Sequence, residues 1–282
     1  MNSSILPSEL NATDFHCTAP LFASMAHHLA VTSILSGRTP ARIFVDDLAK
    51  PKAALAWAGH RFHLAGSPDN CEFNAALACL FTEEVVAHHH AAGASVFIVY
   101  YEPAGWTIPI ETTILRDLQP EQYGRRYYAL SAETAPADNW KALLPAGYNL
   151  QAVDAALLAQ SHLQHLENLR EEMCSERPSV QDFLDKSFGV CIVHGDELAG
   201  WCLSEYNCSN RCEIGIETIE KYQRRSLATL MTYALVETGR AKGVTEFGWH
   251  CWAGNAPSAA TALKAGFRHV CDYPAYFVRA NS

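Results

Sequence analysis

One short stretch of the sequence combines residue types and spacing that could bind an anion. QRRSLA, residues 223–228, lies between a segment with strand alternation and a segment with the periodicity of a long helix. The start of a helix offers unpaired backbone N–H groups and the positive end of the helix dipole, which suit a phosphate or pyrophosphate. Ser226 and Ala228 are small enough for close backbone approach, and Arg224 and Arg225 could add charge. The same residue types also occur at ordinary helix starts.

The elements around this stretch are those needed to position it. Residues 211–219 read as a strand that runs directly into the turn. Residues 224–241 carry apolar residues at helical spacing on one face, and Gly243 follows as a stop signal. The residues on that face are Leu227, Leu230, Met231, Ala234, Leu235 and Thr238. The sequence therefore predicts a strand, a tight turn and an amphipathic helix in succession.

The rest of the chain predicts a similar order of elements in both halves. In the N-terminal half we predict helices at residues 21–35, 74–92 and 112–118, and strands at 42–47, 53–58, 61–65, 95–101 and 126–130. In the C-terminal half we predict helices at 153–160, 163–174, 180–186 and 256–265, and further strands at 188–194, 198–204, 246–252 and 268–278. This order indicates two related α/β domains, at residues 1–135 and 151–282. Residues 136–150, rich in Pro, Ala, Gly and polar side chains, are the predicted linker.

Composition narrows the function classes. The net charge of −9 is spread over both halves, which argues against a nucleic-acid partner and is compatible with a cationic acceptor. Residues 21–35 form the longest apolar-rich stretch, but it is short and contains His27 and His28, so no membrane partner is expected. No secretory signal is recognised at the start, and the ten scattered cysteines are typical of reduced thiols. We therefore expect a cytoplasmic protein.

No group of side chains has the spacing of a metal site. His88, His89 and His90 are adjacent on a predicted helix, where they point in different directions and cannot all face one ion. The cysteines form no CxxC pair, and no GxSxG motif for nucleophilic catalysis occurs. We therefore expect no metal ion and no covalent enzyme intermediate.

Two linked motifs resemble those of the Gcn5-related N-acetyltransferase (GNAT) superfamily. QRRSLA resembles its pyrophosphate loop, whose pattern is Gln or Arg, two residues, Gly, one residue, then Gly or Ala. GNAPSAATALKAGF, residues 254–267, resembles its second signature, an Asn after a strand, then a helix and a Gly-Phe pair. More narrowly, EIGIETIEKYQ, WHCWAGNAPS and RIFVDDLAKPKAALAWAGHRFHLAG resemble the zwittermicin A resistance-type GNAT subfamily. The resemblance implies an α/β fold with a mixed sheet, a GNAT fold in the C-terminal half and a diverged GNAT-like N-terminal half in tandem.

The resemblance also implies a binding site for acetyl-CoA, or another acyl-CoA, as co-substrate. Backbone groups of the central strand would pair with the pantetheine arm, namely Ile216, Glu217, Thr218 and Ile219. The pyrophosphate would be held by Arg224, Arg225, Ser226, Leu227, Ala228 and Thr229. Asn255 and Ser258 would lie near the cysteamine end or cap the following helix.

The sequence departs from the family pattern at two positions. Ser226 replaces the usual Gly of the loop, which adds a Cβ but also a hydroxyl donor. Ala262 stands where the family often has a Tyr that acts as general acid. Residues of the last two strands could supply a proton instead, and Tyr276 is taken as the candidate, with alternatives that the sequence leaves open. These alternatives are Tyr273, His250 and Cys251.

Acyl transfer to an amine also needs a group that removes a proton from the nucleophile. Glu213 and Glu217 alternate onto one face of the predicted strand 211–219, and we expect one of them to act as base or amine anchor. Glu213 lies one residue from the offset expected for the family. Surface carboxylates on a strand are the alternative interpretation of both residues.

The sequence therefore predicts an N-acyltransferase, and specifically an N-acetyltransferase, that acts by direct attack of a small-molecule or peptide amine on the coenzyme A thioester. Two alternatives remain open. Because the Tyr is missing at position 262, the chain could be an acyl-CoA-binding regulatory module without turnover. It could also use a longer acyl chain or a carrier-protein thioester as donor.

Overall fold

The computed structural model describes residues 6–131 and 139–279. Residues 136–138 of the predicted linker lie outside this part. The chain divides into two compact units: unit 1 consists of Met1–Arg125 and Tyr273–Ser282, and unit 2 of Arg126–Asp272. No helix in the described part is long and apolar enough to span a bilayer.

Both units contain strands and helices. The strands are β1 (Ser8–Glu9), β2 (Arg42–Val45), β3 (Ala53–Ala58), β4 (Arg61–Gly66), β5 (Val96–Glu102), β6 (Glu121–Leu130), β7 (Tyr148–Ala152), β8 (Gly189–His194), β9 (Glu197–Cys208), β10 (Arg211–Thr218), β11 (Glu246–Trp252) and β12 (Arg268–Arg279). The α-helices are α1 (Leu29–Leu35), α2 (Cys71–Cys79), α3 (Val86–Ala91), α4 (Thr107–Pro109), α5 (Ala155–Leu158), α6 (Leu166–Met173), α7 (Val180–Lys186), α8 (Leu227–Ala241) and α9 (Ala256–Lys264). A π-helical segment, Leu80–Val85, joins α2 to α3.

Unit 1 contains a mixed sheet in which β1 to β5 follow one another in chain order. β4 and β5 are parallel, and β5 pairs on its other edge with the end of β12, antiparallel. Alternation along β4 places Phe62 and Leu64 in one apolar cluster with Phe81 and Phe97, which covers one face of the sheet with the α2–α3 run. His63 points to the opposite face.

In unit 2 the strand order is β6, β11, β10, β9, β8, β7, with both parallel and antiparallel neighbours. The amphipathic face of α8 packs on one side of this sheet, where Leu230, Met231 and Leu235 join the larger apolar cluster. Helices α5 to α7 cover the other side and enclose Trp201 and Leu203 of β9. The units share one order: a hairpin, a central strand, a long helical run and a parallel strand.

The observed elements confirm the predicted mixed α/β fold class, with local differences. The predicted helix 21–35 is helical in the α sense only from Leu29, because two short 3₁₀ segments, Ala12–Thr18 and Ala23–Met25, occupy the approach to it. β7 lies partly within the predicted linker, where it pairs with β8 as an edge strand. The last strand, predicted in the C-terminal domain, contributes its residues from Tyr273 onward to unit 1, because they pair with β5.

Candidate functional site

A cavity of about 600 Å³ lies in unit 2, where β10 ends and α8 begins. Its volume is within the range of small-molecule binding sites. Its walls come from the end of β10, the turn that follows, the first turn of α8, and α9. The lining residues are Ile216, Thr218, Tyr222, Gln223, Arg224, Ser226, Leu227, Ala228, Thr229, Trp249, Asn255, Pro257, Ser258, Ala260, Thr261 and Lys264.

The N-terminus of α8 faces this cavity without a side-chain cap. Ser226 occupies the N-cap position in the left-handed conformation, with φ of 62°, and its side chain makes no capping hydrogen bond. The backbone N–H groups of Leu227, Ala228 and Thr229 find no acceptor among the described residues. Arg224 also has positive φ, 59°, so the turn bends twice through a conformation that favours glycine. The result is a helix terminus that directs free donors and its dipole into the cavity.

The charges around the cavity are also those of an anion site. Arg224 and Lys264 line it, and its described walls contain no carboxylate, although the chain as a whole carries a net charge of −9. Lys264 extends from the end of α9 and donates from Nζ to Ser226 Oγ at 2.9 Å. Two cations and a helix N-terminus therefore face the same space.

The parallel strands β10 and β11 part beside this cavity. They pair over only three residues, from Arg211↔Glu246 to Glu213↔Gly248, within the described sheet. Beyond Glu213 the edge of β10 that faced β11 is released, while its other edge stays paired with β9 as far as Thr218. Thr218 Oγ1 is buried and lacks a hydrogen-bond partner in the described part of the chain. The gap exposes backbone groups that could pair with an extended ligand.

The cavity wall formed by α9 is fixed by local hydrogen bonds. Asn255 caps α9, because its side-chain oxygen accepts from the Ser258 N–H at 3.0 Å. Ser258 Oγ in turn accepts from Trp249 Nε1 at 3.0 Å. These bonds hold a polar edge of α9 against β11.

Most residues predicted to bind the co-substrate line the cavity, and three do not. Ile216, Thr218, Arg224, Ser226, Leu227, Ala228, Thr229, Asn255 and Ser258 line it. Arg225 is directed to Tyr148 instead and donates to its hydroxyl at 3.1 Å. Glu217 and Ile219 line a separate groove on the other face of β10, because alternate residues of a strand point to opposite faces.

Lys264 is the most informative lining residue that the sequence did not identify. It lies seven residues after Pro257 and three after Thr261, so all three fall on one face of α9. Both of those residues line the same cavity. The helical spacing from the predicted Asn255 onward was the signal that could have found it.

On the other face of β10, Glu213 and His250 form a buried pair. His250 Nε2 lies 3.2 Å from Glu213 Oε1, and the two side chains are 11% and 9% exposed. The ring of Tyr127 stacks on His250 at 4.7 Å between centroids. Burial, and next the Glu213 charge, raise the pKa of Tyr127, which keeps its hydroxyl neutral. Among the candidate acids, His250 contacts a candidate base.

Glu217 lies further along the same face, in a groove of about 290 Å³. The groove also contains Glu171 and Glu172 of α6, together with Trp201 on the neighbouring strand. Trp201 is the cross-strand partner of Glu217 and is almost completely buried. Three carboxylates therefore surround an open space next to the end of β10.

Tyr276 belongs to unit 1 and has a different environment. It is fully buried, its hydroxyl donates to Glu111 Oε1 at 2.6 Å, and it accepts from Gln122 Nε2 at 3.2 Å. Burial and the hydrogen bond to Glu111 raise its pKa well above its usual value. We therefore leave Tyr276 out of the site built from unit 2.

No group of His, Cys, Asp or Glu side chains in the described residues has the geometry of a metal site. Together, the uncapped α8 terminus and the diverging parallel strands define a cleft in unit 2 that suits an extended anionic ligand.

Similarity to known proteins assigns the class. The family model described as GNAT acetyltransferase matches residues 19–276, and the chain belongs to this family. It is 26% identical to the uncharacterized N-acetyltransferase YdfB of Bacillus subtilis over 249 residues, 88% of this chain and 89% of that protein.

Solved structures support the same fold over nearly the whole chain. A GCN5-related N-acetyltransferase-like protein from Streptococcus suis has a TM-score of 0.71 at 21% identity and covers 95% of this chain and 100% of its own. A tandem GNAT protein from the clavulanic acid biosynthesis pathway has a TM-score of 0.56 at 13% identity and covers 98% of each chain. The tandem arrangement predicted from the order of elements is confirmed.

Proposed function

We propose that the protein is an N-acetyltransferase that moves an acetyl group from acetyl-CoA to an amine, with the donor bound in the cavity of unit 2. The observation that carries this proposal is the α8 N-terminus. It is uncapped, it faces the cavity with Arg224 and Lys264, and it adjoins the gap between β10 and β11. A helix terminus with free N–H groups and nearby cations suits a pyrophosphate.

Each part of the cavity would have a separate task. The N–H groups of Leu227, Ala228 and Thr229, with the charges of Arg224 and Lys264, would hold the pyrophosphate. The free edge of β10 at Ile216 and Thr218 would pair with the amides of the pantetheine arm. That pairing would align the thioester with the point where the strands part. The bound donor supplies an acyl carbonyl that an amine can attack.

The other face of β10 would receive the acceptor. Glu213 lies at the last paired position of the parallel strands, in contact with His250, so this pair is suited to proton removal, worth about 10²- to 10⁴-fold in rate. Glu217, with Glu171 and Glu172, would attract a cationic amine and orient it. These positions favour a small-molecule amine as acceptor, since the groove is only about 290 Å³.

Transfer would occur by direct attack, without a covalent acyl-enzyme. In the part of unit 2 that builds the site, the cysteines nearest the reacting groups are buried and poor nucleophiles. Burial raises the pKa of the Cys212 thiol well above its usual value. Positioning of the amine and the thioester then supplies much of the rate.

The test is thiol release by the full chain with a panel of primary amines and polyamines, using acetyl-CoA, octanoyl-CoA and free coenzyme A. The proposal predicts release from acetyl-CoA that depends on the amine, and heat-stabilisation by both acetyl-CoA and free coenzyme A. Binding without release from any amine would support the regulatory-module alternative. Release only from octanoyl-CoA would support a longer donor.

We further propose a cytoplasmic location and membership of the zwittermicin A resistance-type subfamily. All ten cysteines are free, which fits a reducing compartment. The segments EIGIETIEKYQ and WHCWAGNAPS, on which the subfamily resemblance rests, form β10 with its turn and the approach to α9.

A further inference from the structure

The Glu213–His250 pair stands at the point of the sheet where the acyl group would lie. Glu213 is the last residue of β10 that pairs with β11, opposite Gly248. His250 is two residues further along β11, on the same face as Gly248 by strand alternation. The imidazole therefore projects at the apex of the gap between the strands, while the cavity for the donor lies on the other face.

The surroundings of His250 fix its ring. Tyr127 stacks on one side with an interplanar angle of 26°, and Glu213 holds Nε2 at 3.2 Å. Gly248 lacks a side chain, and a Cβ there would lie 3.1 Å from both Glu213 Cγ and Tyr127 Cε2. A glycine at this position leaves room for the two side chains to converge. The charged groups that face the pair from neighbouring strands include Glu205 on β9 and the ion-paired Arg211 and Glu246.

We propose that His250, rather than Glu213, takes the proton from the acceptor amine, and that Glu213 is a positioning residue that holds the imidazole. This inference rests on the proposed acetyltransferase function. In the tautomer in which Nε2–H donates to Glu213, the lone pair of the neutral ring is on Nδ1, which is the arrangement of a base oriented by a carboxylate. Glu213 then also stabilises the imidazolium that forms.

The proton and electron balance is complete without another reactant. An ammonium acceptor gives one proton to Nδ1 of His250, and the neutral nitrogen attacks the thioester carbonyl carbon. A C–N bond forms and the C–S bond breaks, with its electron pair leaving on sulfur. The second proton of the nitrogen neutralises the thiolate, and the imidazolium returns its proton to solvent. The products are an amide, coenzyme A thiol and one proton.

The kinetic test compares His250→Gln, Glu213→Gln and the control His269→Gln. His269 is a matched control because it also faces a carboxylate, Asp272, at 2.7 Å and meets a tyrosine ring edge, Tyr128, but is 45% exposed. At saturating acetyl-CoA, thiol release with the best amine of the panel is measured from pH 5.5 to 9. We expect His250→Gln to lose at least about 100-fold in kcat and to lose the acidic limb of the profile. His269→Gln keeps the wild-type profile.

Glu213→Gln gives the distinguishing result. Because the imidazole still takes the proton, the acidic limb persists, with a smaller loss in kcat than in His250→Gln. If Glu213 were itself the base, Glu213→Gln would remove the limb and His250→Gln would keep it, which would overturn the inference. A His250→Gln variant that keeps the kcat and the pH profile of the wild type would overturn it as well.

A second readout does not depend on turnover. In the full chain with ¹³C-labelled histidine, the His250 signal is assigned by its absence in His250→Gln and recorded at constant pH with and without acetyl-CoA. We expect its chemical shift to change in Glu213→Gln and to respond to acetyl-CoA. A His250 signal that is the same in Glu213→Gln as in the wild type would overturn the pairing. Absence of thiol release by the wild type, by contrast, would overturn the proposed function on which the inference rests.

Discussion

In each unit a helix starts after a central strand, but only one of these two helix termini lacks a side-chain cap. In unit 1, Asn70 caps α2, and its side-chain oxygen accepts from the N–H groups of Glu72 and Phe73 at 3.1 Å. Asn74 then donates to the Pro68 carbonyl across the turn. In unit 2, Ser226 makes no such cap for α8. Unit 1 satisfies its helix terminus with its own side chains, whereas unit 2 leaves the donors for a ligand.

The parallel strands differ in the same direction. β4 and β5 stay paired over five residues, from Arg61↔Ile98 to Ala65↔Glu102, whereas β10 and β11 part after three. The third position of β4 is His63, only 1% exposed and stacked on Tyr100 at 5.1 Å, while the third position of β10 is Glu213. Unit 1 therefore has no such gap, and the rings of His63 and Tyr100 stack on the paired strands. One order of elements can therefore form either a scaffold or a ligand-binding site, depending on a few polar side chains.

The largest effect should come from reversing the charge at the end of α9. Lys264→Glu removes a cation from the cavity and places a carboxylate beside the α8 terminus, so we expect acetyl-CoA affinity to fall about 10- to 100-fold. Isothermal titration calorimetry measures this. Lys242→Glu is the control, because Lys242 follows α8 at its other end, above the ring of Phe188. An equal loss in both variants would mean that only the overall charge matters.

Substitutions of the two loop arginines, Arg224 and Arg225, should differ in their effects on acetyl-CoA binding and on stability. Arg224→Ala should weaken acetyl-CoA binding about 10-fold, since Arg224 lines the cavity. Arg225→Ala should leave the affinity within about twofold and lower the free energy of unfolding by about 1 kcal/mol through loss of the hydrogen bond to Tyr148. Titration calorimetry and urea unfolding measure the two quantities. The reverse pattern would assign the pyrophosphate to Arg225 and contradict the geometry.

Substitutions at the N-cap positions of α2 and α8 should have smaller effects, one on stability and the other on acetyl-CoA binding. Asn70→Ala should lower the free energy of unfolding by about 1 kcal/mol and leave acetyl-CoA affinity unchanged, because the cap of α2 is lost. Ser226→Ala should change unfolding by less than about 0.5 kcal/mol, because Ser226 makes no cap, but should weaken binding a few-fold through loss of its contact with Lys264. Equal destabilisation by both would show that α8 is capped in solution.

Much of this contrast could be predicted from the sequence, but not all of it. The helix α8 follows from periodicity, and the cavity residues Arg224 and Ser226 to Thr229 follow from the resemblance of the loop, because both signals are local. The direction of Arg225 toward Tyr148 and the meeting of His250 with Glu213 depend on which strands become neighbours. Such long-range contacts leave no fixed spacing in the sequence, so the sequence alone does not separate Tyr276, on the last strand, from His250 as a candidate acid.

A further effect concerns the pH dependence of stability and belongs to unit 1. Burial, and next the charge of Arg61, lower the pKa of His60 to about 4. Below about pH 6.5 the unfolded chain binds a proton that the folded chain does not, so stability falls as pH decreases from 6.5 toward 4. Because the side chain is partly exposed, we expect His60→Asn to remove only about 1 kcal/mol of this loss. Urea unfolding at pH 7 and pH 4.5 measures it, and an unchanged pH dependence would contradict the shift.

The most direct measurement is the stoichiometry of acetyl-CoA binding to the full chain by titration calorimetry. The two units share one order of elements, but of the two helices that follow the central strands only α8 starts without a side-chain cap, and β10 and β11 part after three pairs whereas β4 and β5 stay paired over five. We therefore predict one site per chain, which Lys264→Glu weakens and Asn70→Ala leaves intact. Two sites per chain, or one site that Asn70→Ala abolishes while Lys264→Glu leaves it intact, would contradict the assignment of the donor to unit 2.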